Sequence, residues 1–157
     1  MNRFAAIATA LAAVAVFLLM LPFAAGAGSE KSFVLSWRGS FTGPNSGAGT
    51  FAVGGALDDA GTFAATFTSQ AGRHGCDAVA GDDTFTGVSG TFSTHLTGLS
   101  CPSPSGGPRA PFYGRFDITG GTGAYAGISG GGTITSLGDF NDGTFTGVHD
   151  GTAQLGQ

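Results

Sequence analysis

The residues of this chain whose types could do chemistry are three histidines (His74, His95 and His149), two cysteines (Cys76 and Cys101) and the short polar run Asp139-Phe140-Asn141-Asp142-Gly143. Three imidazoles can hold zinc when they converge on one point. Here they lie on separate segments flanked by Gly and Thr, a context that reads as exposed strand or loop, so no metal is expected. The run from 139 to 143 has the side chains of a calcium loop but no glutamate at the twelfth position to complete it. It reads instead as a hairpin turn. The cysteines lack C-x-x-C redox spacing and pair by default as a structural disulfide. Arg115 and Asp117 stand two apart on one strand face and could form an ion pair, but Phe112, Phe116 and Ile118 claim the inner face and leave both outside. No serine sits in a G-x-S-x-G elbow, since "GVSGT" around Ser89 lacks that pattern.

Gly121-x-Gly123-x-x-Ala126 spells a dinucleotide fingerprint. That fingerprint works only where a strand ends in the glycine turn and a helix begins, because the helix N-terminus holds the pyrophosphate. The following glycines, Gly127, Gly130, Gly131 and Gly132, would each cost a helix about 1 kcal/mol relative to Ala. No helix is expected there, and no nucleotide cofactor with it. Nucleic acid is excluded as a partner on charge: after residue 27 the cations are Lys31, Arg38, Arg73, Arg109 and Arg115 against ten acids, with no basic stripe.

The elements that must position these groups are strands. From Ser32 onward apolar residues recur at every second place, the period of a half-buried strand. Phe33, Leu35 and Trp37 share a face, as do Phe51 and Val53, Phe63, Ala65 and Phe67, and Phe92, Thr94 and Leu96, the last set opposite Thr91, Ser93, His95 and Thr97. About eight such strands follow one another, separated by turns rich in Gly, Asn and Asp. "CPSPSGGPRAP", residues 101 to 111, carries four prolines and is expected to be an exposed loop and a lip to any site. Ahead of the strands, Arg3, an apolar run from Phe4 to Leu21 and the site Ala25-Gly26-Ala27 read as a secretory signal peptide over residues 1–27. One domain, 28–157, remains, secreted or otherwise extracytoplasmic and, after cleavage, with no integral membrane association.

"GGTGAYAGISGGGTIT" resembles the G-G-T-G-x-[FY]-x-G-x-x-G signature of the allene oxide cyclase and dirigent-like barrel superfamily, in its small secreted bacterial form. Gly120, Gly121, Thr122, Gly123, Tyr125, Gly127 and Gly130 fill the motif. The strands "FYGRFDI" and "GTFTGVHDGTAQL" also look like the family. The resemblance implies a single antiparallel barrel of eight strands with an apolar interior, an aromatic plug at Tyr125, a homotrimer, and in some members a lipid-like or phenolic guest. It carries over no catalytic residue, and the first strand has Arg38 where the plant enzymes lead one to look for a carboxylate.

The expectation is therefore an all-β, secreted, disulfide-bonded barrel that is not an enzyme and takes a small hydrophobic ligand. Arg38, Trp37, Phe116 and Tyr125 are the candidate ligand-binding residues, with no cofactor. Two alternatives stand beside it. One is a cyclase or dirigent-type isomerase, which needs a polar group pointing inward; Arg38 or Tyr113 would have to break the alternation to supply it. The other is a structural or surface protein whose Gly and Thr strands associate edge to edge.

Overall fold

A computed structural model describes residues 29–102 and 106–156; the segment 1–27, read above as a signal peptide, lies outside the described residues. Eight antiparallel strands run in chain order, β1 (Lys31–Gly43), β2 (Ser46–Gly55), β3 (Asp59–Ala71), β4 (Asp77–Gly87), β5 (Thr91–Ser100), β6 (Arg109–Gly121), β7 (Ser129–Asp139) and β8 (Thr144–Gln154). Each pairs with the next, and β8 returns to β1 in a register running from Lys31 opposite Ala153 to Ser40 opposite Thr144. The sheet is thus a closed barrel. Closure satisfies both edges of every strand and leaves no free edge for the edge-to-edge association that the Gly and Thr strands suggested.

The period-two pattern decides which side chains are inside. Phe33, Leu35, Phe51, Val53, Phe63, Phe85, Phe92, Leu96, Phe112, Phe116, Ile118, Ile134 and Phe145 all point inward and are buried. Thr62, Thr84, Thr86, Asp82, Arg115 and Asp117 alternate with them and face out. This apolar-in, polar-out order is the reverse of a lipid-facing barrel. At 20–33 cal/mol per Å² of apolar surface removed from water, each such ring contributes about 1.5–3 kcal/mol. The rings also pack on one another edge to face, as Phe51 does on Phe85 at 5.2 Å between centroids and 74°.

The two ends differ. At one, the turn Gly123–Tyr125 drops Tyr125 into the barrel mouth, where its ring meets Phe92 at 5.3 Å. Gly123 takes φ +62° to make that turn, a conformation glycine adopts without steric cost. The chain then enters β7, so the glycine-rich stretch leads through a single 3-10 turn to a strand, with no α-helix beside it. Leu57 and Ile128 complete the seal. Both the first described residues and the end of β8 leave the barrel at this closed end. At the opposite end lie the turns after β1, β3, β5 and β7 and the disulfide.

One expected loop is shorter than its prolines implied. Arg109, Ala110 and Pro111 belong to β6, with Pro111 opposite Leu137 of β7. The β5 ladder stops at Ser100 opposite Phe112, so the side of Pro111 that lacks an N–H faces no further pair of that ladder. Its carbonyl still accepts from the Cys101 N–H at 3.1 Å.

Candidate functional site

Above the packed lower half, the inward faces no longer meet. They leave a cavity of about 370 Å³ opening at the end opposite Tyr125. Its wall is largely aromatic, made of Trp37, Phe41, Phe63, Phe67, Phe112, Phe140 and Phe145 from β1, β3, β6, the β7–β8 turn and β8. Trp37 lies 5.4 Å from Phe145 and 5.5 Å from Phe63, and Phe41 stacks on Phe140 at 5.4 Å and 9°. That volume and lining suit one small apolar molecule.

Small residues make this space. A Cβ placed on Gly147 would lie 2.2 Å from the Trp37 indole, and one on Gly47 would lie 2.4 Å from the Phe145 ring. Glycine at these inward positions makes room for the Trp37 and Phe145 rings, which occupy the space a side chain would take.

The polar part of the site sits where cavity and core meet. Asp83 of β4 lines the cavity and is 5% exposed; His149 of β8 lies behind it at 1%. His149 Nε2 is 3.5 Å from Asp83 Oδ2, too long for a good hydrogen bond, and Nε2 has no hydrogen-bond partner. On its other side the imidazole is fixed: the Trp37 indole N–H donates to His149 Nδ1 at 3.0 Å. An indole nitrogen only donates, so Nδ1 must keep its lone pair. His149 is therefore the neutral tautomer, with its proton on Nε2 toward Asp83. Phe116 packs on the same imidazole at 4.6 Å and 70°, and Phe85 at 5.6 Å and 88°. Thr94 stands directly opposite Asp83 in the β4–β5 ladder, and its buried hydroxyl is unpartnered.

At the mouth, Cys76 and Cys101 are joined, their Cα atoms 4.2 Å apart. The bridge ties the turn at Arg73–Gly75 to the end of β5, and Gly75 and Pro102 on either side of it border the cavity. The lip predicted from the proline-rich segment is occupied in the described residues by Pro102 and, within β6, by Ala110.

The four residues set down for a ligand do not come together. Trp37 lines the cavity. Phe116 is buried below it, against His149. Tyr125 closes the far end, where its hydroxyl donates to Asp59 Oδ2 at 2.8 Å. Arg38 is on the outer face, opposite Thr50 and Thr146. Tyr113 is 62% exposed and likewise outside.

Among the described residues the buried inward polar groups are Asp83, Thr94 and His149, which obey the alternation. His149 corrects the expectation that all three histidines are exposed: it is two places beyond Gly147 and four beyond the inward Phe145, so the strand period carries it inside. His95 is outside, 2.8 Å from Asp82, and His74 is in the turn before the disulfide at φ +58°. Among the described residues no group of three His, Cys, Asp or Glu is arranged to hold a metal ion. The run from 139 to 143 is a turn in which Asp139 accepts from the N–H groups of Asn141 and Asp142 and from Arg109 Nε at 3.0 Å.

Comparison with family models, with curated proteins and with solved structures returns no match to this chain.

Proposed function

We propose that this protein is an extracytoplasmic, disulfide-braced barrel of the allene oxide cyclase and dirigent-like kind whose task is to bind a small hydrophobic molecule. One observation carries this: a barrel sealed at one end by Tyr125 keeps about 370 Å³ of aromatic-lined space open at the other. Eight strands enclose a lumen that side chains could have filled. Glycines at Gly47 and Gly147 help keep it open. The disulfide, together with the absence among the described residues of any helix long and apolar enough to cross a membrane, is compatible with the exported setting read from residues 1–27.

The test is to express the full chain, collect the exported and oxidised protein, and incubate it with a panel of lipids and phenols. Native mass spectrometry then reads what is retained. One ligand held per barrel is the expected result; an empty barrel throughout removes the proposal.

A second reading, an isomerase on a hydrophobic substrate, is favoured by Asp83 at the cavity floor with His149 behind it. Recovery of the retained molecule separates the two. An unchanged ligand supports carriage, and a rearranged one supports catalysis.

A further inference from the structure

We infer that the occupant of the cavity carries an ammonium group, seated against Asp83, with its hydrocarbon part among the aromatic rings. This rests on the cavity being a ligand site.

The charges around the cavity are one-sided. Its described wall contains Asp83 and Asp77 and no Lys or Arg. Asp77 stands at the exposed mouth, where it accepts from Ser69 Oγ at 3.2 Å, while Asp83 is deep and almost fully shielded. A carboxylate withdrawn from water needs a counter-charge or several hydrogen bonds. The nearest candidate within the protein is His149, and Trp37 prevents it from serving. A cationic imidazole carries hydrogens on both nitrogens, and the Trp37 N–H already occupies the Nδ1 lone pair at 3.0 Å. Among the described residues the barrel therefore offers Asp83 a neutral N–H at 3.5 Å and no positive charge. A guest can supply it.

The remaining wall suits a cation as well. Trp37, Phe63 and Phe145 form a packed aromatic cluster on the cavity side, and the faces of such rings attract ammonium groups. A fatty acid would bring a second carboxylate toward Asp83, which like-charge repulsion opposes. A neutral alcohol could donate one hydrogen bond but would leave the carboxylate without a counter-ion. The excess of acids after residue 27, ten against five cations, also draws cations toward the barrel.

Three probes of one shape decide it: 1-naphthylmethylamine, 1-naphthalenemethanol and 1-naphthoic acid, titrated calorimetrically into the oxidised full-chain product. The amine is expected to bind about tenfold more tightly than the alcohol, as one charge-assisted contact with aromatic support allows, and the acid most weakly. Asp83→Asn is expected to bring amine and alcohol within about twofold of each other by removing that contact. Equal binding of amine and alcohol by the unaltered protein overturns the inference and leaves the ligand site standing. So does an amine preference that survives in Asp83→Asn. Failure of all three probes to bind overturns both. The comparison within the unaltered protein decides the matter even where the variant does not fold.

Discussion

Asp59 and Tyr125 are the residues on which the closed end depends. The Asp59 carboxylate accepts from the N–H groups of Ala60, Val88 and Ser89 and from the Tyr125 hydroxyl, joining the start of β3, the β4–β5 turn and the plug. Burial acts to raise the acid's pKa, but the bonds from Tyr125, Ala60, Ser89 and Val88 outweigh it and hold it below its usual 3.8. Tyr125 is pushed from 10.0 up to about 12, by burial first and then by its bond to, and the charge of, Asp59.

The signs follow from linkage. A depressed carboxylate stabilises the fold above its unfolded pKa, and that stability is lost as pH falls through the folded value. A raised phenol stabilises the fold below pH 10, and that stability is lost as pH climbs toward 12. Tyr125→Phe is expected to cost about 1.5–3 kcal/mol, the range for a hydrogen bond to a charged group. It should also flatten the alkaline limb. Urea midpoints measured from pH 7 to 12 check both.

Tyr125 was legible from its motif. Asp83 was not singled out and His149 was read as exposed, although counting by twos from Phe85 and Phe145 reaches them, because polar residue types beside Gly, Thr and Asp look like solvent-facing positions. Their pairing needed the closed barrel: β4 and β8 are far apart in sequence and face each other only across the lumen.

Elements are where the sequence spoke most plainly. Alternation placed Phe112, Phe116 and Ile118 inside and Arg115 and Asp117 outside, and the turn at 139–143 is a turn. It went astray at Pro111, because whether a missing N–H matters depends on where the neighbouring strand ends. Glycine carries information that alternation does not. Gly147 is an inward position whose missing side chain is the space Trp37 occupies, whereas a Cβ on Gly54, on the outer face, meets nothing within 4 Å. Gly147→Ala is therefore expected to destabilise by about 1–3 kcal/mol, the usual cost of overpacking. It should also displace the indole from His149, visible as a change in tryptophan fluorescence. Gly54→Ala, with open space around it, should leave the thermal midpoint and the fluorescence unchanged.

For the whole molecule, the decisive quantity is the sum of side-chain volumes around a closed ring, and no local pattern reports that sum. Eight strands and a phenylalanine-rich interior were readable from the chain, but the division of the lumen into a packed half and a hollow half was not. The covalent bridge guards the hollow half. Cys76→Ser is expected to cost about 2–4 kcal/mol, in line with a closed loop of this size. The Cys76–Cys101 separation is 25 residues. Thermal melts of the oxidised protein, with and without reductant, beside the variant measure the loss; the reduced protein and Cys76→Ser should melt together.

Because the polypeptide enters and leaves the barrel at the rim plugged by Tyr125, the opening faces the other way. A resin, dye or anchoring tag joined to the chain directly ahead of β1 or directly after β8 hangs from the plugged rim. Guests then reach an immobilised barrel as freely as one in solution, so surface-captured binding assays on this protein should need no linker optimisation.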